Sequence, residues 1–140
     1  MSSPSGRWPE RTPRWPADSV AAVRALLGRD PEALIVARDS STIVGTVIAG
    51  WDGWRAHLYR LAVHPQHRRR GIATSLLDAA EARLSALEAT RFDAMVLDGN
   101  DLGQAAWVAR GYERQPDWSR WVRTAPPNPR PAVAGPDRSA

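Results

Sequence analysis

The chain reads as an α/β fold, a mixed and mostly antiparallel central sheet flanked by helices, and three stretches of sequence predict it. Ala33 to Arg38 and Ile43 to Gly50 are short β-branched runs separated by the polar turn Asp39–Thr42, the pattern of an antiparallel pair. Leu61 to Thr74 leaves a third strand, breaks at Pro65, passes through Arg68, Arg69 and Arg70 to Gly71, and enters a helix. Phe92 to Leu97 follows that helix as another apolar run, and a right-handed crossover lays it parallel to the strand before the helix.

Each element has a local cause. Asp18 or Ser19 suits the N-cap of a first helix, with Val20, Val23, Leu26 and Leu27 on one face and Gly28 near its end. Gly45 and Gly50 in the second strand mark a bulge or a close backbone approach. Trp51-Asp52-Gly53-Trp54 forms the next hairpin turn, because Asp-Gly favours positive φ, and Arg55 to Val63 returns as the third strand. The long helix is expected from Gly71 to Glu88, with Ile72, Leu76, Leu77 and Ala80 facing the sheet. Asp101 is expected to cap a further helix through Ala109, with Gly111 closing it in the left-handed position. Tyr112–Gln115 and Arg120–Arg123 then suggest a closing hairpin around Pro116-Asp117.

The chain has 140 residues, enough for one domain, placed at residues 17–123. Residues 1–16 are rich in Pro, Ser, Arg and Trp and read as irregular, with Trp8 and Trp15 packing on the domain. Residues 124–140 are proline-rich and read as a disordered tail. No apolar run is long enough to span a bilayer and no signal-peptide pattern opens the chain, so a cytoplasmic location is expected. Zero cysteines exclude a thiolate nucleophile and cysteine-ligated zinc, and the three histidines have no metal-site spacing. The net charge of +4 is mostly arginine, densest in the glycine turn, which suits a ligand carrying several phosphates without requiring nucleic acid.

A strand, a cationic turn with glycine and a helix together present backbone N–H groups and a helix dipole to an anion. The solvated-turn alternative is the bland reading of Arg68–Arg70, and the order of residues decides against it. Arg68-x-x-Gly71-x-Ala73, after Leu61-Ala62-Val63, resembles the acyl-CoA-binding motif of the GNAT N-acetyltransferases, written (Gln/Arg)-x-x-Gly-x-(Gly/Ala). The resemblance extends from about Leu34 to Tyr112. It implies a GNAT-type sheet in which a splayed parallel strand pair forms the acyl-CoA slot. Gly45-Thr-Val-Ile-Ala-Gly-Trp-Asp-Gly-Trp-Arg55 further resembles a small bacterial subgroup with a Gly-aromatic-Asp-Gly turn bordering the acceptor site. One departure is that family members usually begin with a strand and one or two helices, whereas the equivalent region here is short and proline-rich, so either an absent first strand or a truncated gene product is expected.

The resemblance implies an N-acetyltransferase moving acetyl from acetyl-CoA to a primary amine, with no metal. The pantetheine arm would lie between Leu61, Ala62 and Val63 and Met95–Leu97. The pyrophosphate would sit on Arg68, Arg69, Arg70, Gly71, Ile72, Ala73 and Thr74. Asn100 fits the asparagine of the next family motif, and Trp107 stands where the family commonly has a tyrosine that protonates the departing thiolate. Indole N–H is a donor but no usable acid. A thiolate with a pKa near 8.5 is already a fair leaving group, and Trp107 is expected against the thioester, with Tyr112 or water supplying the proton. His57, six residues before Val63, stands where one branch of the family places its base, and Tyr59 shares its face by alternation. Asp52 and Asp98 are alternative bases, and Trp51, Trp54, Trp118 and Trp121 are expected as an apolar acceptor wall.

The acceptor is a small amine, an amino acid, a peptide N-terminus or a lysine. A non-catalytic acyl-CoA-binding module and a protein or aminoacyl-tRNA acetyltransferase are the competing readings. Membrane association is not expected and nucleic acid ranks last as a partner. Dimers are common in the family, and these residues do not decide between monomer and homodimer.

Overall fold

The computed structural model describes residues 19–127. The elements run α1 (Val20–Arg29), β1 (Leu34–Asp39), β2 (Thr42–Trp51), β3 (Ala56–Val63), α2 (Ile72–Ala86), β4 (Phe92–Ala94) and α3 (Asp101–Ala109), with a 3₁₀ turn at Pro65–His67 before α2. The four strands form one sheet in the order β1-β2-β3-β4. The first three are antiparallel, and β4 runs parallel to β3 after the crossover through α2. This is the mixed sheet expected from the sequence.

Local chemistry accounts for most boundaries. Ser19 caps α1, its hydroxyl accepting the Ala22 N–H at 3.0 Å. The Asp52 carboxylate accepts the N–H groups of Trp54 and Arg55 at 2.8 and 2.7 Å, which closes the β2–β3 hairpin with Gly53 at φ +96°. Those two donors hold the Asp52 carboxyl below the usual carboxylate range. Asn100, and not the expected Asp101, caps α3, its Oδ1 accepting the Gly103 N–H at 2.9 Å.

One face of the sheet meets α2 and α3. Val47 and Ala49 of β2, Ala56 and Leu58 of β3, and Leu76, Leu77, Ala80 and Leu84 of α2 are buried together with Trp107 of α3. A Cβ at Gly45 would lie 3.0 Å from both Ile72 Cγ2 and Leu76 Cδ1, so the first turns of α2 rest directly on the β2 backbone. Farther along α2, Arg83 donates to the Asp30 carboxylate at 2.6 Å and to the Ala49 carbonyl at 3.2 Å. That one guanidinium joins α2, β2 and the segment after α1.

A bulge interrupts β3. Thr46 pairs with Ala62 and Ile48 with Tyr59, so β3 carries one residue more than β2 across that interval. Arg60 takes up the excess at φ +58°, and the Thr46 hydroxyl donates to its carbonyl at 3.1 Å. The extra residue resets the alternation: Ala56 and Leu58 face the core before it, and Leu61 and Val63 pack against the core after it.

Three expectations need correction. β4 has only Phe92–Ala94, because ladder pairing with β3 ends at Leu58↔Ala94, just before the bulge; Met95 adds a single bond, its N–H to the Leu58 carbonyl at 3.1 Å. The closing hairpin is absent among the described residues: 112–127 contains no strand. Trp118, Trp121 and Val122 recur at three- and four-residue spacing instead of alternating, and Pro116 removes a ladder donor. The predicted apolar face of α1 contains no buried residue, and Val20, Val23 and Leu27 are exposed. Residues 19–114 fall in one compact unit, and 115–127 in a second, in which Trp118 and Trp121 are exposed. The expected placement of Trp8 and Trp15, and most of the tail, lie outside the described residues.

Arg83→Met keeps the apolar stem and removes the donors. We expect it to cost about 1–3 kcal/mol, because the Asp30 carboxylate and Ala49 carbonyl lose their partner. Urea unfolding measures the loss, and a variant as stable as the parent would show that the contact does not hold α2 down.

Candidate acyl-CoA site

The bulge and the early end of β4 create the site together. His64 gives its N–H to the Val44 carbonyl on β2 at 2.8 Å. By alternation, Leu61 and Val63 turn their backbone groups to the opposite edge, and Ala62 turns toward β2. On that opposite edge β4 has already stopped, so no strand among the described residues pairs with it. Across the gap, Gln104 of α3 donates its side-chain amide to the Leu97 and Asp98 carbonyls, which holds the segment after β4 in place.

The free edge leads into an open cleft of about 230 Å³ lined by Val63, His67, Arg68, Arg69, Gly71, Ile72, Ala73 and Thr74. The Pro65–His67 turn that starts it is pinned at both ends. His64 Nδ1 accepts the Gln66 N–H at 3.1 Å, and His67 Nε2 donates to Asp39 Oδ2 at 3.2 Å. Arg69 at φ +67° and Gly71 at φ +78° then reverse the chain into α2. Gly71 occupies the N-cap, and a glycine has no side chain with which to satisfy the first-turn donors. The N–H groups of Ile72, Ala73 and Thr74 therefore point out of the helix without the usual side-chain cap, at the positive end of the α2 dipole. Arg68, Arg69 and Arg70 add positive charge to the same turn.

The remaining predicted residues separate. His57 and Tyr59 lie on β3 just before the bulge, on the face away from α2. The His57 side chain is 41% exposed, with Nδ1 at 4.0 Å from Asp93 Oδ2, and the Tyr59 ring borders Gly50. Trp107 does not line the cleft: it is only 5% exposed and packs in the core, its ring edge-on to Tyr112 at 4.9 Å between centroids. The Tyr112 hydroxyl donates to Glu81 Oε2 at 2.6 Å. Burial and that carboxylate push the Tyr112 pKa well above the ordinary tyrosine value, so its proton is held firmly. The Asn100 carboxamide oxygen is committed to the α3 cap. Trp51 packs against the core, and Trp54 is exposed beside the Arg55 guanidinium, so the two do not form one wall. Asp93, beside His57, was not legible as a site residue; its signal was a lone charge inside the apolar run Phe92–Leu97. Among the described residues, no group of three or more His, Asp or Glu side chains could hold a metal ion.

Glu81 also receives Arg110, whose Nε donates at 3.0 Å while the same guanidinium reaches Asp78 at 2.6 Å. Burial works to raise the Glu81 pKa, but the Arg110 and Tyr112 hydrogen bonds outweigh it and hold the carboxyl below its ordinary 4.5. A lowered folded-state value contributes stability above the unfolded value and loses it as pH falls. Glu81→Gln is therefore expected to cost about 1–3 kcal/mol at neutral pH and to lose less than the parent below pH 4.5. Unfolding curves at the two pH values check this. Equal acid sensitivity in both proteins would place the linkage elsewhere.

Residues 5–112 match the family model described as "Acetyltransferase (GNAT) family". An acetyltransferase of Yersinia pseudotuberculosis is 39% identical over 89 residues, covering 64% of this chain and 63% of that protein. One of Sodalis glossinidius is 36% identical over the same shares. The chain thus spans about 63% of the length of these relatives. Among solved structures, Naa20 of Chaetomium thermophilum with a bisubstrate analogue aligns at TM-score 0.65 and 23% identity, over 70% of this chain and 59% of that one. AAC(6')-Iy in complex with the bisubstrate analogue CoA-S-monomethyl-acetylneamine aligns at 0.62 and 18%, over 79% and 84%. At these identities the structures speak for the fold alone. The family model covers most of the 140 residues, and the chain belongs to the GNAT acetyltransferase family.

Proposed function

We propose that this protein is an N-acetyltransferase that moves acetyl from acetyl-CoA to a primary amine by direct attack in a ternary complex. One observation carries the reading: the β3 edge that no strand among the described residues pairs with leads, through the Pro65–His67 turn, into the cationic N-terminus of α2, which has no side-chain cap. An acyl-CoA has the matching order of groups, an amide-bearing arm that wants a strand edge followed by a pyrophosphate that wants N–H donors and arginines. The naming of curated relatives as acetyltransferases, and a structural neighbour solved with a CoA-containing bisubstrate analogue, support it.

In this reading Leu61 and Val63 hold the arm through their backbones, with Ala62 completing the strand. Arg68, Arg69, Arg70 and the first turn of α2 hold the pyrophosphate. His57 takes the amine proton, and Tyr59 on the same face borders the acceptor. The amine lone pair forms the new N–C bond while the C–S electron pair leaves on sulfur. Trp107 and Tyr112 are engaged in packing and with Glu81, so water protonates the thiolate. Asp52 is a poor alternative base, because its oxygen already accepts two N–H groups.

Calorimetric titration with CoA and acetyl-CoA tests the donor site. Thiol release against a panel of a polyamine, an aminoglycoside, an amino acid and a peptide N-terminus tests the transfer. Binding with amine-dependent thiol release is expected. Binding without release from any amine would make the chain a non-catalytic acyl-CoA module. Replacing Arg68, Arg69 and Arg70 by glutamine removes charge-assisted contacts worth about 1.5–3 kcal/mol each, so CoA affinity should fall at least tenfold. Unchanged affinity would move the phosphates off this turn. Trp107→Tyr should destabilise the fold by about 1–3 kcal/mol without raising turnover. A gain in rate would show that a phenol at this position reaches the thiolate.

A further inference from the structure

We propose that Asp93 is a positioning residue for His57, fixing its tautomer so that Nε2 accepts the proton of the attacking amine. The inference deepens the transferase reading and rests on the assignment of His57 as base. His57 and Asp93 are direct register partners in the parallel β3–β4 ladder, so the backbone places both residues side by side on one face of the sheet. The His57 Nδ1 faces Asp93 Oδ2 at 4.0 Å. The other carboxylate oxygen is occupied, because Arg91 Nε donates to Asp93 Oδ1 at 3.1 Å. Arg91 thus leaves one Asp93 oxygen turned toward the imidazole. Catalytic hydrogen bonds are often long before substrate binds and close in the reactive complex.

The chemistry follows from which ring nitrogen carries the proton. A carboxylate only accepts, so an imidazole beside it keeps its proton on Nδ1 and leaves the Nε2 lone pair free. On attack, one amine proton passes to Nε2, the amine nitrogen bonds to the acyl carbon, and the thiolate departs with the C–S pair. The resulting imidazolium, protonated on both nitrogens, then lies beside the Asp93 carboxylate and returns its Nε2 proton to water. Among the described residues, Asp52, which interacts electrostatically with His57, and Arg91, which pairs with Asp93, are further charged groups at this pair. Asp52 is tied by its two N–H donors, which leaves Asp93 as the carboxylate facing Nδ1. This part of the strand pair is held by the ladder and the core beneath it, so the arrangement does not depend on a loop.

The test combines a structural and a kinetic readout on the full chain. Nitrogen-15 chemical shifts of the His57 ring report its tautomer with no acceptor present. In the parent the Nδ1–H form should dominate. In Asp93→Asn the carboxamide can donate to Nδ1, and the population should move to the Nε2–H form. Turnover is measured as thiol release from acetyl-CoA with benzylamine, spermidine and an alanyl peptide as acceptors. Asp93→Asn should lower kcat about 10–100-fold with acetyl-CoA affinity unchanged, less than the roughly 10⁴-fold loss when a buried triad carboxylate becomes an amide. The double variant with His57→Ala should be no slower than His57→Ala alone. An unmoved tautomer, or additive losses in the double variant, would overturn the positioning role while leaving His57 as base. A His57→Ala variant with parental turnover would instead overturn the base assignment, and the proposal with it.

Discussion

The architecture depends on one extra residue. Arg60 sits in the left-handed region, which for a residue with a Cβ is unfavourable by about 1–2 kcal/mol. That cost is sustained because the bulge does two things at once. It turns Leu61 and Val63 back onto the core that α2 covers, and it follows directly on the end of the β3–β4 ladder, at Leu58 opposite Ala94. Sheet stability would favour a longer parallel pair. The chain forgoes those ladder bonds and keeps an edge that no strand among the described residues pairs with, ending at Val63 beside the cleft.

The remaining parts extend that choice. α2 follows the edge through the Pro65–His67 turn, and its close seat on Gly45 means that its first turn is mounted on β2 as well as on its own loop. His67 with Asp39, and His64 with Gln66, hold the short 3₁₀ turn that connects edge to helix. Behind the helix, Arg83, Glu81 and Arg110 tie it to β2, to the segment after α1 and to the end of α3. The charged side chains along α2 thus secure the helix, whereas Arg68, Arg69 and Arg70 stand in the turn before it.

What was legible in the sequence was local. The strand, the cationic glycine turn and α2 could be read because caps, glycines and apolar spacing act within a few residues of one another. The Asp52–Arg55 hairpin was legible for the same reason. The length of β4 was not, because Phe92–Leu97 is apolar almost throughout and its pairing is cut short by a bulge about thirty residues earlier. The burial of Trp107 was not legible for a related reason: a motif position indicates which residue type is usual there, whereas the core cluster that encloses the ring, with Tyr112 edge-on to it, is assembled from distant parts of the chain. Asp93 was not legible because a lone acid in a strand acquires meaning only through its ladder partner, here His57.

The bulge also makes length in this strand asymmetric. Because side chains alternate with a period of two, and β3 already carries one residue more than β2, losing Arg60 would leave a regular ladder: Tyr59 would stay opposite Ile48, Leu61 would come opposite Val47, and Ala62 would stay opposite Thr46. Leu61 and Val63 would keep their places on the core face. A single-codon deletion here is thus a change the packing can absorb: it removes the irregularity beside the end of β4 and leaves the sheet's inward face as it was.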